Sequence, residues 1–332
     1  MPRAVVCTQL GPLSGLRVEE RPSQPLGPGD ARIAVLAAGV NFVDALIVQG
    51  LYQIKPSTPF VPGGELVGVV TELGDQPGST AGPAGGVAVG DRVLAMTMAG
   101  AFSTEVVFPA ERLVKVPSNL TDGQAATFMQ SYMTGLFALA RRASLWPGRS
   151  VLVLGAGGGV GLAAVDVARA LGLRVIAAAS TDEKRALATA RGAGAVVDST
   201  DPVAVKVAAR EFGEGGVDAV YDPVGGERAA EYLKALGENG QYLVVGFATG
   251  HIPALPANQI LLANRRVIGV DMGGWFARHA DDEADLRAEL LGLVEAGQLS
   301  PVEPRAYPLD QVAEALAAQQ GRQVAGKAVL VP

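Results

Sequence analysis

Six consecutive residues carry the clearest chemical signal, Ala156-Gly157-Gly158-Gly159-Val160-Gly161. They follow a β-branched run ending at Leu154 and open a helical stretch at 160–171. A glycine turn between a strand and a helix gathers backbone N–H groups and the positive helix end at one point, which suits a pyrophosphate. Gly158, lacking a Cβ, lets the backbone approach the phosphates, and Gly161 lets the helix pack close to the strand. The turn opens on Ala156 where the usual fingerprint has Gly. The alternative is a glycine-rich surface turn, against which stands the strand–helix alternation around it.

The following strand, Arg174 to Ala179, bears on which dinucleotide would bind. Sites for NAD usually end this strand with an acid that holds the ribose 2′-hydroxyl. Here Ala179-Ser180-Thr181 is followed by Asp182, Glu183, Lys184 and Arg185. Hydroxyls and two cations near the strand end suit a 2′-phosphate, so NADPH is the expected cofactor. Two alternatives stay open. Lys184 and Arg185 could be solvated helix residues paired with the neighbouring acids, and Asp182 could serve NAD if the strand runs further.

Positioning such a site takes a parallel sheet. From Ser150 onward short apolar runs at 151–154, 175–179, 195–197, 217–221 and 242–245 alternate with helical stretches at 160–171, 182–191, 203–212 and 227–236. That alternation predicts a doubly wound sheet. Before it, runs at 31–40, 65–73, 91–97 and 103–108, separated by Gly/Pro turns, predict an all-β region, with residues 74–90 as an exposed loop. Thr121 with Gln124 resembles a capping box, and a helix is expected through 129–143. Beyond 262 the pattern gives a strand at 266–270, an amphipathic helix at 281–296 and a closing strand at 327–331.

Composition narrows the function. A chain of 332 residues with 49% apolar content supports two cores. A net charge of −6 without a Lys/Arg cluster, and 5% aromatic residues, argue against nucleic acid as a partner. A lone Cys7 excludes an intramolecular disulfide framework and a cysteine-rich metal site. The N-terminus has no signal-peptide layout and the apolar stretches carry charges such as Asp166 and Arg169. A soluble cytoplasmic protein with no membrane partner is therefore expected. The two histidines, His251 and His279, read as surface residues.

Several ordered motifs resemble the medium-chain dehydrogenase/reductase superfamily, in its zinc-free quinone oxidoreductase (zeta-crystallin-like) branch. They are Ala38-Gly39-Val40-Asn41-Phe42-Val43-Asp44, Gly50-Leu51-Tyr52, Pro62-Gly63-Gly64-Glu65-Leu66-Val67-Gly68, Val89-Gly90-Asp91-Arg92-Val93, the glycine turn, and Gly326-Lys327-Ala328-Val329-Leu330. The resemblance spans essentially the whole chain. It implies an α/β protein, with a GroES-like β-barrel catalytic domain plus a Rossmann doubly wound parallel sheet. The expected division is 1–122 catalytic, 123–264 NADPH-binding and 265–332 returning to the catalytic domain, with 266–270 a possible edge strand of the Rossmann sheet. Homodimers formed through that edge are the family's habit.

The resemblance also assigns residues. Positions where zinc members of the superfamily hold their metal fall on Asn41, Gly64 and Gln130, a set unsuited to zinc, so no metal is expected. Asn41 and Tyr52 are placed at the nicotinamide and substrate end, where either could hydrogen-bond a carbonyl oxygen; the alternatives are a strand-end turn residue and a partly buried loop aromatic. Thr134, Gly246 and Phe247 are placed beside the nicotinamide. Ser180, Lys184 and Arg322 are placed at the 2′-phosphate, with Ser199 where some members carry a tyrosine. Asp166 stands where the family usually has Gln. The activity implied is NADPH-dependent hydride transfer to quinones or related α,β-unsaturated carbonyls. An enoyl-thioester reductase and a non-catalytic, crystallin-like NADPH-binding protein are the competing readings.

Overall fold

The computed structural model describes residues 1–75 and 86–332, so most of the expected loop at 74–90 lies outside the described residues. The chain forms two compact units, Met1–Gln130 with Val302–Pro332, and Ser131–Pro301.

In the first unit the strands run in the order Arg305–Pro308, Ala328–Val331, Asp30–Val40, Glu65–Leu73, Arg92–Met96 and Val114–Lys115, with Glu105–Pro109 pairing onto Asp30–Val40. The central pairings are antiparallel, and their apolar side chains, such as Ile33, Val35, Leu66 and Val93, fill one core with Phe60 and Phe102. Register decides which strand ends come together. Val40 pairs with Ala328 and Gly39 with Glu65, so the end of one strand and the starts of two others meet at one place.

In the second unit all pairings are parallel, in the order Ala195–Asp198, Arg174–Ala179, Ser150–Leu154, Val217–Asp222, Leu236–Val244 and Arg266–Gly269. The chain starts in the middle and winds outward both ways, so the switch point lies between Ser150–Leu154 and Val217–Asp222. Ligands bind such sheets outside the carboxyl ends of the strands at that point. The helices Gly159–Ala170, Asp182–Ala190 and Pro202–Phe212 match the pattern read from sequence within a residue or two.

Three expectations need correction. The helix expected at 227–236 shrinks to Ala229–Leu233, because Gly225 and Gly226 both take positive φ before it and Leu236 already pairs with Val217. The helix expected over 129–143 is α-helical only through Leu136 and continues as a π-helical turn, Phe137–Arg142. The domain limits also shift. Residues 123–130 belong to the first unit, where the carbonyl of Ala126 lies against Gly39 and Arg92 pairs with Asp122 at 2.6 Å. Residues 265–301 stay in the second unit, since Arg266–Gly269 extends its sheet and the backbone N–H of Ser300 donates to Asp166 at 2.7 Å. The return to the first unit thus starts at Val302. Among the described residues, no helix is long and apolar enough to cross a membrane.

Candidate active site

The glycine turn is built as its sequence demands. Gly155 leaves the first parallel strand at φ +60°, and the Gly158 N–H donates to the Gly155 carbonyl at 2.9 Å. Gly158 then caps the helix Gly159–Ala170, and a Cβ there would meet nothing nearer than 3.5 Å. Gly161 is the opposite case: a Cβ would fall 2.3 Å from the Gly155 carbonyl oxygen, so only glycine lets this helix approach its strand. Ala156 is fully buried, and its N–H donates to Ala178 at 3.0 Å, tying the turn to the second strand. Val160 lies in the first helical turn.

The second strand ends at Ala179, so Ser180 is the exposed residue at its tip and Asp182 is already helical. Thr181 caps that helix by accepting the Lys184 N–H at 3.3 Å. The aliphatic stem of Lys184 covers Gly157 so closely that a Cβ at Gly157 would lie 2.3 Å from Lys184 Cβ and 2.5 Å from its Cγ. Arg185 takes the other course open to it. Its guanidinium donates to the Ala179 carbonyl at 2.8 Å and to Asp182 at 2.6 Å, with Asp198 3.7 Å away, so it ties strand ends together. Ser199 joins the same corner through its N–H to Ala179 at 3.2 Å, while Arg228 holds its carbonyl. Lys184 thus lies over the turn, while Ser180 and Ser199 flank the end of the second strand at Ala179. Arg322 belongs to the first unit, exposed and at φ 58°.

At the other side of the switch point, Asp222 ends its strand buried. Its carboxylate accepts the N–H groups of Val224 at 2.8 Å and Gly225 at 2.9 Å and the hydroxyl of Tyr242 at 2.5 Å. Burial raises both the Asp222 carboxyl and the Tyr242 phenol above their usual ranges. This pair fixes the loop against which Gly246 and Phe247 lie: the Gly246 N–H donates to the Asp222 carbonyl at 3.3 Å, and Phe247 packs near Gly225. Thr134 is half-buried with Met272 3.9 Å from its hydroxyl. Sequence reasoning missed the Asp222–Tyr242 pair, whose two residues look like ordinary strand positions.

In the first unit, the strand register gathers a buried polar cluster. Asn41 follows the end of Asp30–Val40, Glu65 starts the next strand, and Lys327 precedes Ala328. Asn41, Asp44, Glu65 and Lys327 are 5%, 1%, 2% and 9% exposed. Asn41 Nδ2 donates to Glu65 Oε1 at 2.9 Å, and Lys327 Nζ donates to Asn41 Oδ1 and, at 3.2 Å, to Glu65 Oε1. The second Glu65 oxygen accepts the Gln130 N–H at 3.2 Å. Asp44 accepts the Asn41 backbone N–H at 2.8 Å and lies within ordinary contact of the Gly64 Cβ position. Burial pushes its carboxyl up to about 7; the Asn41 N–H and Lys327 pull it down, and Glu65 adds to the rise. Tyr52 is half-buried against the apolar core of this unit. Glu65, Lys327 and Asp44 were visible in sequence only as parts of motifs. The available signal was a charge abutting an apolar strand in Gly64-Glu65-Leu66-Val67 and Gly326-Lys327-Ala328-Val329.

Comparison with known proteins agrees with this architecture. A family model for the alcohol dehydrogenase GroES-like domain matches residues 27–118, and one named zinc-binding dehydrogenase matches 159–289. A quinone oxidoreductase-like protein 2 homolog of Nematostella vectensis is 38% identical over 99% of this chain and 88% of its own length. The chain belongs to the quinone oxidoreductase branch of the medium-chain dehydrogenase/reductase superfamily. A mycobacterial protein solved in complex with NADPH superposes with a TM-score of 0.88 at 31% identity, covering 100% of both chains. Escherichia coli quinone oxidoreductase complexed with NADPH gives 0.86 at 25% identity, covering 99% of this chain and 100% of the other. The GroES-like fold and the Rossmann parallel sheet expected from the motifs are therefore those of the family.

One departure from the family's usual residues has a structural account. Asp166, fully buried in the helix after the glycine turn, accepts from the Tyr132 hydroxyl at 3.0 Å, the Ser300 N–H at 2.7 Å and Arg169 at 2.8 Å. A carboxylate, being acceptor-only, satisfies three donors at once. Both histidines are exposed, as read from sequence.

Proposed function

We propose that this protein is an NADPH-dependent reductase that delivers hydride to quinones or related α,β-unsaturated carbonyls without zinc. The observation that carries the reading is Lys184 laid over the glycine turn, beside a strand that ends at Ala179 without a carboxylate. The turn offers helix N–H groups to a pyrophosphate, and Lys184 with Ser180 and Ser199 suits a 2′-phosphate. Gly158 is the open point of that cradle. Arg322 is assigned to the same phosphate, and Thr134, Gly246 and Phe247 to the nicotinamide. The bound cofactor supplies a hydride.

Asn41 supplies the acceptor's partner. Lys327 holds its Oδ1 and Glu65 takes one Nδ2 hydrogen, so the group left for a ligand is an N–H donor. That donor suits a carbonyl oxygen that gains negative charge as hydride arrives, and the closing proton comes from water. Tyr52 is assigned as a second hydroxyl donor to the same oxygen.

The donor set supports chemistry without zinc. The positions matched to zinc ligands are Asn41, whose amide is engaged on both sides, Gly64, which has no side chain, and Gln130. An ammonium beside them opposes a second cation. A cytoplasmic homodimer is part of the same reading. The edge strand Arg266–Gly269, with Val267 41% exposed, is the one offered for pairing.

The test is NADPH oxidation with a quinone, and separately with an enal, each with a chelator present. Saturable turnover insensitive to chelation, with NADPH preferred over NADH, is expected. Cofactor binding without turnover on either acceptor would refute the reductase, and loss of activity on chelation would refute the zinc-free mechanism.

A further inference from the structure

We propose that Lys327 and Glu65 form a positioning pair that fixes which face of the Asn41 amide is offered to the acceptor; this rests on the assignment of Asn41 as the acceptor's partner. An asparagine amide has two ends of nearly equal shape, and only its hydrogen-bond partners decide which is which. Lys327 is an obligatory donor, so the end it touches is Oδ1. Both Glu65 oxygens already accept, Oε1 from Lys327 and Oε2 from the Gln130 N–H, so the end of the amide that meets Oε1 is Nδ2. The chemistry of the pair therefore dictates a single orientation.

The pair is itself held firmly. Both side chains are at least nine-tenths buried, and the free oxygen of Glu65 is fixed by the Gln130 N–H at 3.2 Å. Gly39 makes room for the carboxylate: a Cβ there would fall 2.7 Å from Glu65 Cγ and Oε1. Neither Lys327 nor Glu65 is assigned a contact with the acceptor. Each acts through Asn41. With Lys327 shortened to an apolar side chain, nothing compels Oδ1 to stay in place, and the amide can turn. A carbonyl oxygen in Asn41's donor position would repel the developing charge instead of stabilising it.

The arrangement separates two kinds of effect. Losing the pair should slow hydride acceptance, because that step needs the donor, and leave untouched the glycine turn and the groups assigned to the 2′-phosphate. The loss should also vanish once Asn41 is gone, since a positioning residue has nothing left to position.

The experiment measures kcat and KM for 9,10-phenanthrenequinone, and NADPH Kd by fluorescence, in the full-length wild type, Asn41→Ala, Lys327→Met and the double variant. Lys327→Met is expected to lower kcat roughly tenfold or more, with NADPH Kd within about twofold of wild type, and the double variant should be no slower than Asn41→Ala alone. If the single losses multiply in the double variant, the positioning role is overturned while the role of Asn41 stands. If Asn41→Ala turns over like the wild type, the assignment of Asn41 falls and takes the inference with it. Absence of quinone turnover in the wild type removes both. Lys327→Met leaves Glu65 a buried, unpaired charge, so Glu65→Gln/Lys327→Met, with and without Asn41→Ala, replaces it if the single variant does not fold.

Discussion

Replacing Gly157 by alanine probes the cofactor preference by displacing the Lys184 stem while leaving its ammonium in the sequence. The backbone there is not in the left-handed region, so the only obstacle is Lys184. The added methyl would sit 2.3, 2.5 and 2.8 Å from Lys184 Cβ, Cγ and Cδ. Ordinary carbon contacts begin near about 3.5 Å, so the Lys184 stem must retreat by roughly 1 Å. Cβ is fixed to the helix and cannot swing away, so the helix start moves with it. Such overpacking costs about 1–3 kcal/mol of stability. A charge-assisted hydrogen bond to the 2′-phosphate is worth about 1.5–3 kcal/mol, and pulling its donor away by that distance forfeits most of it, which is about 10- to 150-fold in affinity. NADH lacks the 2′-phosphate, and any disturbance of the pyrophosphate turn weakens both cofactors alike. The ratio of kcat/KM for NADPH over NADH therefore isolates the 2′-phosphate site, and comparison with Lys184→Ala assigns the change to Lys184. It should fall tenfold or more in Gly157→Ala, fall similarly in Lys184→Ala, and fall no further in the double variant. A folded Gly157→Ala protein with its NADPH preference intact would show that the Lys184 stem does not set the phosphate site.

Two further outcomes come from buried carboxylates. Asp44, raised from 3.8 to about 7 chiefly by burial, holds its proton in the folded state where the unfolded chain has lost it. Stability is therefore greatest below about pH 4 on this account and declines as pH rises toward 7, by roughly 4 kcal/mol across the window. In Asp44→Asn the fall in Tm between pH 5 and 8 should be much shallower than in the wild type; an unchanged slope would show that Asp44 is ionised throughout. Asp166→Ala removes the acceptor for the Tyr132 hydroxyl, the Ser300 N–H and Arg169 together, leaving buried donors unpaired. A loss of about 3 kcal/mol is expected in urea denaturation, and a loss under about 1 kcal/mol would mean that water replaces the carboxylate.

The second unit was legible because its rules are local. Most of its strands and helices are short periodic runs, two of the helices, Asp182–Ala190 and Pro202–Phe212, carry their own side-chain caps, and the glycine turn carries its geometry in residues a few positions apart. The cluster around Asn41 was not legible in the same way. Glu65 and Lys327 are 262 residues apart and meet because Gly39 pairs with Glu65 and Val40 with Ala328, a fact of sheet register that no window of sequence contains. The corrected domain limits have the same origin. Arg266–Gly269 is expected from the resemblance as a possible edge strand of the Rossmann sheet, and its parallel pairing with Leu236–Val244 puts it there, but the residues that follow it carry no signal for the unit they join. Lys184 and Arg185 are chemically alike and adjacent, yet helix geometry turns one over Gly157 and the other onto Asp182 and Ala179.

The Glu65–Lys327 pair poses a last energetic question, which also predicts an outcome. Removing two charges from water costs several kcal/mol per ion before their attraction offsets it, and well-packed neutral replacements are often neutral or stabilising. If the pair served stability, converting both residues to neutral ones should destabilise the first unit by several kcal/mol. If it serves to orient Asn41, stability should barely change while turnover falls. Glu65→Gln/Lys327→Met is the discriminating variant, because the introduced amide still offers an oxygen to the Gln130 N–H and no charge is left unpaired. A Tm within about 3 °C of the wild type, together with roughly tenfold slower quinone reduction, fits orientation. A large drop in Tm with normal turnover in the folded fraction would assign the pair to the fold and leave the Asn41 amide to find its orientation unaided.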